Sequence, residues 1–207
     1  MKIRPGRSTR TLNSQAWSRY SVRKPRKNFI KALPHTSLLI FNMGTYSDKY
    51  DLIFTLNSRQ RVQLRSNALE AARQSANKLL EKEIPGAYYF KVITYPHNVL
   101  REKKFATGAG ADRVSQGMSN AFGRPTAVAA RVFENQPVFE IRVNKDRRDI
   151  AKAAMKRASL KLSGSYYVSV KETNPIAKLK ISGETGKEEI DSEQSSSDGN
   201  ANPIAVS

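Results

Sequence analysis

Between residues 58 and 83 the apolar side chains Val62, Leu69, Ala72, Ala76 and Leu79 recur at the 3.6-residue spacing of a helix. Pro85-Gly86 then forbids its continuation, while Asn57 or Ser58 offers an N-cap. The opposite side carries Arg59, Arg61, Arg65, Arg73 and Lys78, which read as ordinary solvated charge. This one long amphipathic helix must bury its stripe against something, and the runs around it are short and strand-like. Residues 37–42 (Ser-Leu-Leu-Ile-Phe-Asn) and 50–56 predict two strands divided by Gly44 and polar turn residues. Residues 87–95 are rich in aromatic and β-branched side chains and predict a third, with 98–101 continuing it past Pro96. Residues 127–133 and 138–143 predict strands joined by a turn of hairpin length at 134–137. A second helix is expected over 146–162, with Ile150, Ala153, Ala154, Arg157 and Leu160 or Lys161 at helical spacing and Gly164 as its stop, and a last strand over 166–171. The layout is α+β, two main helices packed on a mixed, mostly antiparallel sheet in one domain.

The flanks are of different material. Residues 1–36 contain ten Lys or Arg, from Lys2 to Lys31, before the first acid at Asp48, and Pro5, Pro25 and Pro34 interrupt any regular element. They predict an extended basic arm, in which Trp17 and Tyr20 either stack on bases or anchor the arm to the fold. Residues 173–207 hold Glu184, Glu188, Glu189, Asp191, Glu193 and Asp198 and no aromatic side chain, which predicts a disordered acidic tail. The net charge of +18 and isoelectric point near 10.3 therefore understate the basicity of the body, which comes to +23 over residues 1–182. Such a body calls for an anionic partner, nucleic acid or a membrane surface. No run approaches the roughly 18 apolar residues of a bilayer span, and the N-terminus lacks an apolar signal-like stretch, so a soluble cytoplasmic protein is expected.

Residues 108–125 (Gly-Ala-Gly-Ala-Asp-Arg-Val-Ser-Gln-Gly-Met-Ser-Asn-Ala-Phe-Gly-Arg-Pro) join two strand-like runs through a connection too long to be a simple turn. Its glycines, Gly108, Gly110, Gly117 and Gly123, permit unusual backbone angles and close approaches. A dinucleotide fingerprint would need glycine where Arg113 stands, and a Gly-Lys-Ser/Thr phosphate loop occurs nowhere. There is no cysteine, and His35 and His97 both adjoin proline in loop-like context. Asp112 beside Arg113 reads as a local ion pair or turn former. Neither a catalytic triad, a metal site nor a cofactor site is expected. What remains is electrostatic: the basic arm, Arg101, Lys103 and Lys104 at the base of the loop, and Arg142, Lys145, Arg147 and Arg148 at the second helix. Without a pattern for a common sequence-reading module, recognition of a folded RNA by shape and backbone fits best.

Four separated motifs in order resemble one family. Residues 110–125, Asn67-Ala-Leu-Glu-Ala-Ala-Arg with Ala76-Asn-Lys, Tyr95-Pro-His-Asn-Val-Leu-Arg and Arg4-Pro-Gly-Arg are similar to the archaeal and eukaryotic large-subunit ribosomal protein L ten-e, counterpart of bacterial L sixteen, over most of residues 1–172. The resemblance implies an α/β-hammerhead-like fold, parts at 1–36 (RNA-binding arm), 37–172 (core, with loop 103–125 projecting) and 173–207 (tail), and a structural, non-enzymatic role in the large subunit. It implies rRNA contacts by Arg4, Arg7, Arg10, Arg19, Arg23, Lys24, Arg26, Lys27, Arg101, Lys103, Lys104 and Arg124. The loop residues Phe105, Gly108, Gly110, Asp112, Arg113, Gln116, Gly117 and Met118 would lie towards the peptidyl transferase centre and the tRNA acceptor arms. Neighbouring ribosomal proteins are further implied partners, and no homo-oligomer is. The chain departs from the family pattern at the start (Arg4-Pro-Gly-Arg-Ser-Thr for Arg-Pro-Ala-Arg-Cys-Tyr), around His35, and at Lys103, Phe105 and Ser119, where Asn, Met and Arg are usual. A free RNA-binding regulator or tRNA-handling factor is the alternative expectation from the same basic surfaces.

Overall fold

A computed structural model of the chain describes residues 6–10, 12–14, 16–18, 30, 32–47, 49–103, 106, 108–114 and 123–173. Eight strands, two long helices and two single-turn elements follow one another as β1 (Asn42–Gly44), β2 (Leu52–Ser58), β3 (Val62–Arg65), α1 (Ser66–Glu83), β4 (Tyr89–Val92), β5 (Asn98–Glu102), α2 (Ala111–Val114), β6 (Arg124–Val132), β7 (Pro137–Val143), a 3₁₀ turn (Lys145–Arg147), α3 (Arg148–Ser159) and β8 (Tyr166–Glu172). The expected α+β class is found, but the strands form two sheets. One has five strands in the order β1-β4-β7-β2-β8, the other three in the order β3-β6-β5, and every pair is antiparallel.

Most elements fall where their periodicity places them, with four differences. The helix begins at Ser66 rather than near residue 58, because Val62 and Leu64 are buried at a spacing of two and belong to β3. Its start is capped by neither Asn57 nor Ser58; Arg65 occupies the N-cap in extended geometry. The first strand is the short β1: of residues 38–41 only Phe41 meets the sheet, its carbonyl accepting the Val92 N–H at 2.8 Å. Residues 98–101 do not prolong β4: β5 leaves it at Pro96 and pairs with β6 in the other sheet. The turn after β6 likewise makes no hairpin. Asn135, at φ 59°, bends a connection that carries the chain from the three-stranded sheet into the five-stranded one. The β2 to β3 connection crosses beside it, and the two crossings are laced together by the Ser58 N–H to the Gln136 carbonyl (3.1 Å) and the Asn135 N–H to the Ser58 carbonyl (2.8 Å).

Helices α1 and α3 pack against each other. Their stripes, Leu69, Ala72, Ala76, Leu79 and Leu80 on α1 and Ala151, Ala154, Met155 and Ala158 on α3, are buried in one core. The sheets supply Phe54, Leu56, Phe90, Phe139 and Ile141 from one side and Val62, Leu64, Ala130 and Val132 from the other. Alanine at five of these nine helix positions lets the two backbones come close. At the roughly 25 cal/mol per Å² that apolar burial is worth, each fully covered Phe or Leu contributes about 2 kcal/mol. Arg73 departs from the expected solvated face: its side chain is buried, makes a bidentate pair with Glu70 (2.5 and 2.8 Å) and donates to the Met43 sulfur at 3.0 Å.

Candidate nucleic-acid interface

The arm residues that the structure describes lie across the small sheet. Register places Gln63 and Arg65 of β3, Ala129 and Arg131 of β6, and Asn98 of β5 on one face, while Val62, Leu64, Ala130 and Val132 face the core. The described residues 6–10, 12–14 and 16–18 cover the polar face. Gln63 donates its backbone N–H to the Ser8 carbonyl (2.7 Å) and its Nε2 to the Arg7 carbonyl (3.1 Å). Asn98 donates Nδ2 to Gln63 Oε1 (2.6 Å) and accepts the Trp17 N–H at its Oδ1 (2.7 Å), and the Val99 N–H returns to the Trp17 carbonyl (2.6 Å). Arg131 bonds the Ser14 carbonyl, and Arg61 Nη1 the Asn13 Oδ1 at 3.1 Å.

Gln63 and Asn98 are both almost wholly buried, so each amide group must find its partners inside the protein. Together they form a ladder that holds the arm's backbone. Trp17 packs on a small second cluster of Ile30, Val99 and Val128, and the Arg101 guanidinium lies 3.5 Å over its ring. Of the two readings of Trp17, the anchor is the one this geometry matches.

The candidate contact residues separate accordingly. Arg7 and Arg10, with Gly6, Ser8 and Thr9, line one side of an open polar groove of about 350 Å³ whose other side is Glu102 and Lys103. The Arg65 guanidinium lies 3.8 Å from the Glu102 carboxylate. Arg101 is committed to Trp17, and burial lowers its pKa from the ordinary arginine value. Arg124 is exposed at the start of β6, opposite Glu102 in register.

In the loop, Gly108 (φ 112°) and Gly110 (φ 76°) take left-handed conformations, and the single turn α2 that follows presents Arg113 to solvent and contains the backbone of Asp112. Gly123 closes the loop's base: a Cβ there would fall 2.6 Å from the Glu102 carbonyl carbon and 2.8 Å from the Lys103 nitrogen. Arg4, Arg19, Arg23, Lys24, Arg26, Lys27, Lys104, Phe105, Gln116, Gly117 and Met118 lie outside the described residues.

A second cationic region was not legible as a unit. On the face of the large sheet turned away from the helices, Arg142 bonds Glu140 at 2.7 Å and lies 5.5 and 5.8 Å from the rings of Tyr46 and Tyr89. Its pKa is raised, chiefly by the Glu140 hydrogen bond. Arg59 covers Tyr167 at 5.9 Å and Arg61 covers Phe133 at 5.1 Å. Arg59 and Arg61, expected on the helix's solvated side, instead sit on the turn before β3, where guanidinium and ring stack.

Among the described residues no group of His, Asp and Glu is arranged to hold a metal ion, and no helix is long and apolar enough to cross a membrane. The features together define a basic two-sheet α+β domain that presents cations and aromatic rings from a rigid frame. The family model for ribosomal protein L16p/L10e matches residues 17–169. Large ribosomal subunit protein uL16 of Methanocella arvoryzae is 41% identical over 179 residues, 86% of this chain and 100% of the relative. The protein of that name from Archaeoglobus fulgidus is 38% identical over 169 residues (81% and 97%), and that from Hyperthermus butylicus 42% over 163 (78% and 89%). The chain belongs to the ribosomal protein L16p/L10e family.

Proposed function

We propose that the chain is a structural constituent of the large ribosomal subunit, bound to its rRNA and to neighbouring ribosomal proteins, and a non-enzymatic supporter of translation. The observation that carries this is the family match across residues 17–169, joined by relatives named as large-subunit proteins along nearly their whole lengths. The charge supports it: a body of +23 in 182 residues is matched to a polyphosphate partner. We assign Arg7, Arg10, Lys103 and Arg124, with Arg4, Arg19, Arg23, Lys24, Arg26, Lys27 and Lys104, to rRNA phosphates, and Arg101 to holding Trp17. Residues 1–36 act as an arm tethered by residues 6–18, 37–172 as a hammerhead-like core, and 173–207 as an appended tail. Loop 103–125 reaches towards the peptidyl transferase centre and the tRNA acceptor arms, with Arg113 as its charge, and the protein acts as a single copy.

The tagged full-length chain is expected to co-sediment with large subunits through a moderate-salt gradient at one copy per particle. A wholly free pool would overturn the reading and favour a free RNA-binding regulator. Deleting residues 105–116 is expected to leave sedimentation unchanged and to slow translation; loss from the particle would show that the loop is a structural anchor instead.

A further inference from the structure

The outward face of the five-stranded sheet has no covering element among the described residues, and its side chains are unusual for a merely solvated surface. Register sets Tyr89, Arg142, Ile53 and Lys171 in one row across four strands, and Lys91, Glu140, Thr55 and Ser169 in the next. At about 4.8 Å between strands the first row spans roughly 14 Å. Tyr46, 58% exposed, stands edge-on to Tyr89 with ring centroids 5.2 Å apart, and Arg142 lies beside both. Four residues along β8 from Lys171, or about 13 Å, is Tyr167 under Arg59. The hydroxyls of Tyr89 and Tyr167 are tied sideways to Asn42 Oδ1 and Asn135 Oδ1, each at 3.0 Å. Their rings are therefore held before any partner arrives, which removes much of the ordering cost of stacking.

We propose that this face is a stacking platform for an unpaired stretch of RNA, with bases on Tyr46, Tyr89 and Tyr167 and phosphates on Lys91, Lys171 and Arg59. The reading rests on the RNA-binding role above and adds a surface on the far side of the molecule's helices. Charge complementarity selects RNA as the occupant. Arg142 is neutralised by Glu140, the sole acid in the two rows, and leaves Lys91, Lys171 and Arg59 exposed around the aromatics. Aromatic rings stack on any base, and duplex RNA hides its base faces, so the platform distinguishes single strands from duplexes.

The experiment compares the full-length chain with the Tyr46→Leu/Tyr89→Leu double variant and with Tyr167→Leu. Each is titrated with an unstructured, mixed-sequence dodecaribonucleotide and with a duplex of the same length. The basic arm binds both probes, so the readout is the ratio of single-strand to duplex affinity. That ratio is expected to fall at least about tenfold in the double variant, which lacks two of the three stacking rings, with duplex affinity unchanged. An unchanged ratio in variants whose circular dichroism and urea midpoint match the parent chain overturns the proposal. Should the leucine variants fail to fold, photocrosslinking of the unmodified chain to a thiouridine-containing oligonucleotide decides it. Adducts on peptides containing Tyr46, Tyr89 or Tyr167 support the platform, and adducts confined to the arm refute it. Lysine-specific crosslinks from Lys91 or Lys171 to another protein within the subunit also refute it. These ratios are measured on the isolated chain, so they are independent of co-sedimentation, whose failure alone would overturn the ribosomal assignment.

Discussion

Asn98 is a small polar residue on which a whole segment depends. With its amide bonded to Trp17 on one side and Gln63 on the other, replacing it by leucine removes the acceptor of the part-buried Trp17 N–H and the donor to the buried Gln63 Oε1, at a cost of about 2–3 kcal/mol. Trp17 is the only tryptophan, so the loss reads out directly: Asn98→Leu is expected to red-shift its emission and expose it to acrylamide quenching while helical dichroism persists. Glu70 offers a titratable counterpart. Its pKa lies below the ordinary 4.5, first because Arg73 hydrogen-bonds the carboxylate, and a depressed folded-state pKa stabilises above the unfolded value and is lost as pH falls. Glu70→Gln is therefore expected to lower the unfolding free energy from urea titration at neutral pH by about 2 kcal/mol, with the difference from the parent chain shrinking as pH drops below 4.5. Sequence alone did not reveal either residue's role. Arg73 shares its helix face with solvated bases in the one-dimensional pattern, and an isolated Asn or Gln within a strand gives no sign of which chain will cover it.

At the scale of elements, the strands and helices were legible because period two and period 3.6 are local properties, and Pro85-Gly86 and Gly164 stop the helices near where they should. Which strands pair was not. An apolar alternation says that one face is buried but not against which neighbour, so β5 read as a continuation of β4, and a four-residue turn read as a hairpin when it is a crossing between sheets. The loop's glycines were legible as a group, yet the separate tasks of Gly108, Gly110 and Gly123 depend on contacts distant in sequence. Gly123 makes the sharpest test. Gly123→Ala forces the β5 and β6 backbones apart at the loop's base and is expected to cost about 1–3 kcal/mol. Hydrogen exchange should accelerate in β5 and β6 and stay unchanged in α1 and α3; uniform acceleration would mean that the stem and the core open together.

For the molecule as a whole, basic surface is distributed over the arm's groove, the loop and the outer sheet, and the sequence conveyed this through its charge asymmetry before any fold was known. It also conveyed the family, because four motifs in order are carried by the chain itself. The positions that bind could be named as arginines and lysines but not sorted, since whether a guanidinium meets a phosphate or caps a ring is decided by neighbours such as Trp17 and Tyr167. A pairing pattern this non-local also predicts slow folding. Refolding from urea is expected to take milliseconds to seconds, and a chain ending at residue 165 to be insoluble because one edge of β2 is left open.

The position of β2 in its sheet has a consequence for how the protein is made. Its neighbours β7 and β8 begin 79 and 108 residues after it ends. A chain emerging from N- to C-terminus therefore displays a largely apolar strand, Leu52 to Leu56, with nothing to pair it until β7 has been synthesised, and with its second edge open until β8 follows. The order of the genetic message thus sets an interval of vulnerability during each round of synthesis, and its length is the time needed to translate the second half of the domain.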